Sequence, residues 1–468
     1  DTVNSNALLC ITFVGLVGAI GFALDAAIAA GRARQVQSVE SPDSVDLSPT
    51  SAALAATPAA WVFTLLLASY ALLVPGLGAV LFSLNIGIDF GVVKFGVGPG
   101  GGMDKVPALT ESMLGLVRLL RQTHCSLGAS AVIVYAMVIP ALKLSLLCAS
   151  QCLRRPRAAG VCIHIVQSIS KWACPDMFAY ILLLYLIRAL NHPMLLQSLM
   201  QLDVGFTCFS LFCVVSTLAS LGIHAPDAIS SSGLWSSFAG KLGLDRVLAL
   251  VAVFWVGFSV LFFAGMTTPV MLLRLTLDRL YAPHGPLPET MFGIPLQPVI
   301  ENLHLPELAN SDVSISCAIS SLYVWARRGE ANSVLAFVML GFFVIALTIA
   351  DMAVLGCIAV RLRAQLPVRG LAKAAVALRK LSMLDVLIAG VVVVTMCTSI
   401  YHKDGIFVWW GAGLHALLCA EALHYSTYYL VLGAVPLYEP IVSDEAACRF
   451  QLHEESDSDL GLRKADYL

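Results

Sequence analysis

Charged residues are scarce in this chain. They make up 12% of its 468 residues, whereas soluble domains carry about 25%. Hydrophobic residues make up 58%, and the mean hydropathy is +0.84. A chain this poor in charge cannot cover a water-facing surface, which excludes a soluble enzyme, a nucleic-acid-binding protein and a disordered protein. The apolar segments are continuous and do not alternate with polar residues, so a β-barrel is excluded as well. The remaining class is a polytopic helical membrane protein.

Short motifs that carry chemistry are also missing. The 13 cysteines never form C-x-x-C, which excludes a zinc ribbon and a thioredoxin-like site. Most of them lie in apolar runs, where they act as small hydrophobic residues. There is no G-x-x-x-x-G-K-[ST] phosphate loop, and the net charge of −2 indicates no bulk electrostatic partner. We therefore expect no enzymatic activity, no catalytic residue, no metal, no cofactor and no nucleic-acid partner.

Gaps between charges place the candidate membrane spans. A bilayer core needs about 20 apolar residues per helix, and charge-poor runs of roughly this length recur along the chain. They cover residues 7–24, 59–84, 125–153, 173–190, 204–223, 247–273, 331–360, 384–402 and 406–432. The predicted fold is all-α: a polytopic integral membrane protein with about nine transmembrane helices.

The last eight spans form two sets of four with similar layouts, which indicates an internal repeat. In both sets a Lys precedes an acid by five residues where the third span opens, as Lys171 and Lys380 do. Segments with helical apolar spacing, 109–121 and 313–325, precede the two second spans and are typical of helices in the membrane interface. The prediction is two tandem, parallel four-helix repeats plus one N-terminal helix.

The loops that follow the second span of each repeat are rich in Lys and Arg, which places these loops in the cytosol. The long loops 85–124 and 274–330 then face the other side, and the C-terminus is cytosolic. The predicted units are an N-terminal helix and linker at 1–57, repeat 1 at 58–225, repeat 2 at 246–432 and an acidic cytosolic tail at 433–468.

Two short motifs carry a family resemblance. Repeat 2 reads K-L-S-M-L-D-V over residues 380–386, and repeat 1 reads K-W-A-C-P-D-M over residues 171–177. The second span of repeat 1 also holds a late Pro and Lys, in V-I-P-A-L-K-L at 138–144. In order and spacing, residues 58–432 resemble the paraquat-inducible protein A family, in which a Ser-Met-Leu-Asp-Val motif opens a membrane helix.

The chain departs from that family in two ways. The second span of repeat 2 reads T-I-A-D-M at 348–352, without the Pro or the Lys, and the zinc ribbons of many bacterial members are absent. The resemblance implies a membrane component of phospholipid transport between membranes. It also implies a partner with MCE domains, which form hydrophobic conduits between two membranes, and loading or unloading of membrane lipids at the mouth of that conduit.

Glu421 is the most informative polar residue, because it lies in a run that is otherwise uncharged from Gly405 to Leu437. An ionised, unpaired carboxylate in a membrane costs several kcal/mol. His424 lies three residues on and shares its helix face. A Glu–His pair suits proton relay, and it can also be a purely structural hydrogen-bonded pair.

Four further polar residues are candidates for lipid binding or transport. Lys143 and Asp351 hold similar places in the two second spans and have opposite charge, which predicts a pair across the repeat interface. Asp176 and Asp385 open the third spans, where a carboxylate is favoured by the helix dipole. Ser382 with Asp385 fits a capping box, and Lys143 with Asp176 can also meet across a short loop. The structural reading of each residue remains open.

Three prolines lie inside predicted spans, Pro75, Pro140 and Pro269, and are predicted to kink their helices. Two other functions stay open. One is a scaffold that does not transport lipid, whose buried polar groups are all mutually satisfied. The other is a membrane redox protein linked to haem or quinone. His415 and His424 are the candidate axial ligands, but their separation of nine residues places them about 180° apart around one helix, so one haem cannot easily take both.

Overall fold

A computed structural model describes residues 8–24, 60–89, 94–96, 109–152, 156–189, 196–223, 233–275, 290–291, 294–295, 310–398 and 406–438. The predicted linker at 31–57 and nearly all of the tail at 433–468 lie outside these ranges. Before residue 230 the helices are α1 Leu8–Leu24, α2 Ala60–Gly78, α3 Met113–Gln122, α4 Ser126–Ile133, α5 Ile139–Cys152, α6 Pro156–Ile169, α7 Pro175–Ala189 and α8 Val204–Leu221. A π-helical stretch, Val134–Val138, joins α4 to α5, and a 3₁₀ turn, Ser170–Ala173, lies between α6 and α7.

The later helices are α9 Gly233–Leu242, α10 Leu244–Thr267, α11 Ile315–Arg327, α12 Ala331–Val338, α13 Leu347–Arg363, α14 Arg369–Leu381, α15 Leu384–Cys397 and α16 Ala412–Tyr438. A second π-helical stretch, Met339–Ala346, joins α12 to α13. The strands are β1 Val80–Asp89, β2 Lys94–Gly96, β3 Leu109–Ser112, β4 Leu196–Leu202, β5 Met271–Leu275, β6 Thr290–Met291, β7 Ile294–Pro295, β8 Ser311–Val313 and β9 Ile406–Trp410.

Among the described residues, seven helical stretches are long and apolar enough to cross a bilayer. They are Ala60–Gly78, Ser126–Ser150, Ala158–Ala189, Val204–Leu221, Leu244–Thr267, Ala331–Arg363 and Arg369–Cys397. This confirms a mostly helical membrane protein. The apolar helix α1 is shorter than these, and the 27-residue helix α16 packs along α10 but carries more polar residues.

An antiparallel sheet of four strands, another of three and the two-stranded pair of β6 and β7 accompany the helices among the described residues, and the sequence did not predict them. In the first, β1 pairs with β2 and β3 along one edge and with β4 along the other. In the second, β5 lies between β8 and β9. Each of these two sheets joins the end of one membrane helix to the start of another. Helix α7 leads into β4 of the first sheet and also contacts β8 of the second, so both sheets lie at the same end of the helical bundle.

The chain from α2 to α8 and the chain from α10 to α16 have the same order of helices. We call these the first half, residues 60–223, and the second half, residues 244–438. In each, the strand after the first helix pairs with the strand before the interfacial helix and with the strand before the last helix. Within the described residues, the β1–β2 pairing, the separate β6–β7 pair and the 3₁₀ turn have no counterpart in the other half. In each half the first and last helices pack together closely at a glycine. A Cβ on Gly76 would lie 3.0 Å from the backbone N of Phe209, and one on Gly265 would lie 2.6 Å from Leu417 Cγ.

The two segments predicted as interfacial helices, 109–121 and 313–325, are helical, but each helix begins a few residues after the predicted start. Helix α3 begins at Met113 and α11 at Ile315, because the residues before them pair as β3 and β8. Equivalent serines cap both helices: the Ser112 hydroxyl accepts from the Gly115 N–H at 3.0 Å, and the Ser314 hydroxyl accepts from the Cys317 N–H at 3.3 Å.

Several predicted boundaries are wrong. The span predicted at 59–84 ends as a helix at Gly78, and the last predicted span starts with β9 before α16 begins at Ala412. Helix α16 also runs on to Tyr438, past the predicted start of the tail at 433.

Pro75 lies inside α2, and Pro140 directly follows the π-helical stretch, where its missing N–H leaves the carbonyl of Ala136 without its usual helical partner. The prediction that Pro269 kinks a helix is wrong. Helix α10 ends at Thr267, and Pro269 lies between the helix and β5, where its carbonyl accepts from the Gly413 N–H at 2.8 Å.

Candidate functional site

The two halves meet where α7 packs on α15. A Cβ on Gly390 of α15 would lie 2.8 Å from the carbonyl oxygen of Pro175 and 3.0 Å from Phe178 Cβ, so glycine permits the close approach of these helices. The side chains of α7 along this contact are almost all buried. The helix pair therefore forms the centre of the molecule, and the candidate site residues lie on both sides of it.

A cluster of buried ionisable groups lies in the second half. Arg379 of α14 donates from Nη2 to Glu421 Oε1 at 2.7 Å, and its Nη1 lies 2.7 Å from His424 Nδ1. On its other side, His424 Nε2 lies 2.9 Å from Asp351 Oδ2. All four side chains are buried, which makes their interactions far less screened than those of surface pairs.

This cluster continues to the other half of the molecule. The Arg379 guanidinium lies 3.4 Å above the ring of Tyr425, whose hydroxyl donates to Asp385 Oδ2 at 2.8 Å. The same carboxylate oxygen is 2.6 Å from Lys171 Nζ, which comes from the 3₁₀ turn of the first half. We call these seven residues the ionic cluster: Lys171, Asp351, Arg379, Asp385, Glu421, His424 and Tyr425.

The histidine in the ionic cluster can hold its protons in two ways. A guanidinium only donates, so the contact with Arg379 requires Nδ1 to accept and leaves the proton on Nε2, facing Asp351. Glu421 Oε2 also lies 3.2 Å from Nδ1, and an imidazolium would donate to it instead. Three carboxylates face two permanent cations in the cluster, so an imidazolium would balance its charge.

Lys143 is isolated from this cluster. It is 1% exposed, and its ammonium donates to the Ser216 carbonyl at 2.6 Å and to the Ser170 hydroxyl. Among the residues that the structure describes, no carboxylate lies within ion-pair distance of it. The predicted pairs of Lys143 with Asp351 and with Asp176 are therefore both wrong, since Asp351 binds His424.

Asp176 is the most isolated group. Its side chain is 0% exposed, and neither carboxylate oxygen has a hydrogen-bond partner among the described residues. It lies in the first turn of α7, as predicted, and is among the residues that line an apolar pocket between the halves. This pocket is lined by Phe82, Leu84, Leu116, Leu119, Leu120, Val132, Asp176, Ala179, Tyr180, Leu183, Ile187, Val393, Val394, Cys397 and Thr398.

Asp385, its counterpart in the second half, lies in the first turn of α15, as predicted, but the predicted capping box is wrong. The Ser382 hydroxyl pairs with Thr348 Oγ1 at 2.8 Å and caps no backbone N–H of α15. Asp385 turns to Lys171 and Tyr425 instead. The predicted pair of Glu421 and His424 is confirmed by the 3.2 Å contact.

Sequence reasoning assigned Arg379 to a cytosolic loop and did not consider Tyr425. Arg379 is 6% exposed and lies on the face of α14 that also buries Ala372 and Ala375. A cation on the apolar face of an amphipathic helix is the signal that could have identified it. Both nitrogens of His424 have protein partners in the described structure, so the predicted alternative of haem ligation would require these contacts to break.

No protein-family model, no curated protein and no solved structure matches this chain.

Proposed function

We propose that this protein is a membrane component of phospholipid transport between membranes and that the lipid's hydrocarbon chains pass through the pocket between its halves. The observation that carries the proposal is the pocket itself. Residues of both halves line it, and nearly all of its lining is apolar, as is typical of sites that take hydrocarbon. A cavity of this kind suits hydrocarbon.

The proposal includes two tandem repeats and about nine transmembrane helices. The matching order of helices supports the repeats, as do the matching π-helical stretches and serine caps. Helices α1 and α16, added to the seven long apolar stretches, give the count of nine. Transporters built from repeats tend to hold their substrate where the repeats meet, which is where the pocket lies.

Two buried groups favour transport over a scaffold. A scaffold has no need for an unpartnered polar group, yet Asp176 has no hydrogen-bond partner among the described residues and Lys143 has no counter-ion there. Such groups cost free energy, so a protein keeps them where they serve a purpose. The ionic cluster joins the halves through Lys171 and Asp385, and protonation of His424 is a means of biasing how they meet.

The resemblance to the paraquat-inducible protein A family supports the direction of this proposal. In the proposed orientation the C-terminus is cytosolic, and the two small sheets face the opposite side of the membrane, where an MCE-domain partner would receive lipid. The protein has no enzymatic activity in this scheme, and the energy for transport comes from outside the chain or from protons.

The test is lipid transfer from proteoliposomes that hold the purified chain and a fluorescent phospholipid to acceptor vesicles. Leu183→Trp fills the pocket and is expected to slow transfer at least fivefold. Leu218→Trp makes the same substitution on the exposed face of α8 and is expected to leave transfer unchanged. Equal lipid transfer by both variants would show that the lipid does not pass through the pocket.

Glu421→Gln separately tests the ionic cluster. We expect less transfer, and a changed lipid content measured by mass spectrometry after purification. Unchanged lipid content together with unchanged transfer would exclude a role for Glu421.

A further inference from the structure

The described lining of the pocket contains one oxygen-bearing side chain without a hydrogen-bond partner. Of the oxygen-bearing side chains in its lining, Tyr180 donates to Met113 Sδ at 3.1 Å, and Thr398 donates to the Val394 carbonyl at 3.0 Å. Asp176 is the third, and within the described part of the chain its oxygens have no hydrogen-bond partner. A ligand that enters the pocket therefore meets a hydrocarbon wall, and the carboxyl group of Asp176 lies just beneath it, 0% exposed until neighbouring side chains move.

That carboxyl group is held at lower cost in its neutral form. The helix N-terminus favours a negative charge by about 0.3–1 kcal/mol, whereas removing an unpaired carboxylate from water costs several kcal/mol. No Lys, Arg or His is among the described residues that line the pocket, so none offsets that cost. A neutral carboxylic acid presents one O–H donor and one carbonyl acceptor.

We infer that the pocket binds an uncharged long-chain lipid, or the uncharged glyceride end of one, with its hydroxyl or ester carbonyl oxygen on Asp176. A phosphate or carboxylate would enter without a counter-ion, because the described lining holds no cation. An amine would require two charges to be desolvated together, which is costly in an apolar site. This inference rests on the proposed function, since it names the chemistry of the lipid that the pocket takes.

The experiment uses four C16 probes that carry the same diazirine in the chain and differ only at the end: alcohol, methyl ester, carboxylate and primary amine. Each is photo-crosslinked to the full chain in proteoliposomes, and labelled peptides are quantified by mass spectrometry. The peptide that contains Leu183 reports the pocket. The peptide that contains Val256, which is 58% exposed on α10, reports simple partition of the probe into the membrane.

We expect the alcohol and the methyl ester to label the pocket peptide at least fivefold more than the carboxylate and amine do, after normalisation to the α10 peptide. Asp176→Leu should lower that labelling about tenfold, and Asp176→Asn, which still offers a donor and an acceptor, should keep most of it. Ser210→Ala is the matched control, because the Ser210 hydroxyl is also buried without a hydrogen-bond partner among the described residues but does not line the pocket. It should label as wild type does.

Two results would overturn the inference: preferred labelling by the amine or the carboxylate, or wild-type labelling in Asp176→Leu. Elution as a single species and an unfolding transition establish that each variant is folded. If the wild-type chain shows the expected labelling but transfers no phospholipid, the proposed function fails and the site stands. If Asp176→Leu labels as wild type does, the site fails whatever the transfer assay gives.

Discussion

Asp176 and Asp385 begin equivalent helices, yet their surroundings differ completely. Asp385 accepts from Tyr425 and pairs with Lys171 at 2.6 Å, whereas both oxygens of Asp176 lack a partner among the described residues. The lysine equivalent to Lys171 is Lys380, and it donates to Gln167 Oε1 at 2.6 Å rather than to Asp176. The same local sequence pattern thus supplies an ion pair on one side of the molecule and an unpartnered acid on the other.

Asp176→Leu should make the protein more stable. An unsatisfied buried polar group costs about 1–3 kcal/mol, and leucine, which has the same branched shape but no polar atom, removes that cost. We expect the free energy of unfolding in detergent to rise by about 1 kcal/mol or more, as measured by the denaturant midpoint, while lipid transfer falls. A gain in stability together with a loss of activity is typical of functional sites. A less stable variant would show that Asp176 has a structural partner.

Arg379 is the cation that holds the ionic cluster together. It is 2.7 Å from both Glu421 Oε1 and His424 Nδ1, and removal of one partner from a buried ion pair costs about 3–5 kcal/mol. We expect Arg379→Met to lower the unfolding temperature strongly, and Arg379→Lys, which keeps the charge but loses the forked geometry, to lower it less. The double variant Arg379→Met, Glu421→Gln should recover part of the loss. No recovery would mean that the packing of Arg379, and not its charge, is what matters.

At the scale of the helices and strands, Gly390 controls how closely α15 approaches α7. An alanine there places its Cβ 2.8 Å from the backbone oxygen of Pro175, and this overpacking should cost about 1–3 kcal/mol in unfolding free energy. Gly341 lies in the second π-helical stretch, where an added Cβ would meet no atom of the described structure within 4 Å. Gly341→Ala is therefore the matched control: it changes helix propensity in the same way as Gly390→Ala but adds no steric contact. Thermal unfolding in detergent should show a loss for Gly390→Ala alone. Equal effects of the two substitutions would contradict close packing of the halves at Gly390.

The membrane helices were predictable from the sequence, but the strands were not. Charge-poor runs overlap each of the seven long apolar stretches in the described residues, because a helix in a bilayer must be apolar over about 20 residues. They missed α6 and α14, which the charges placed in the predicted cytosolic loops although these helices extend two of the stretches. The same criterion cannot separate a helix from a strand that continues the run, so Val80–Leu84 was included in a span although it pairs with β3 and β4. Spacing within a helix likewise identified the contact of Glu421 with His424.

The partners that come from distant parts of the chain were not predictable. Lys171 and Asp385 are 214 positions apart, and their contact depends on how α7 packs on α15. Arg379 was counted as a marker of the cytosolic side, because a positive-inside argument treats every Lys and Arg as exposed. In the structure the Arg379 side chain is buried against Glu421, so this positive charge reports a packed helix face as well as the side of the membrane.

At the scale of the whole molecule, the orientation in the membrane can be tested with two single substitutions. The chain contains no N-x-[ST] glycosylation acceptor, so any glycan reports an introduced site. His304→Ser completes an N-L-S acceptor that begins at Asn302 in the long loop 274–330, and Ser456→Asn completes an N-D-S acceptor that ends at Ser458 in the tail. In the proposed orientation, translation into microsomes adds one glycan to the loop variant and none to the tail variant, and endoglycosidase removes it. Both acceptors end in serine and lie well away in sequence from the membrane helices, so they differ chiefly in the side of the membrane on which they lie.

Glycosylation of the tail alone would show the opposite orientation, and it would place the two sheets and any MCE-domain partner in the cytosol.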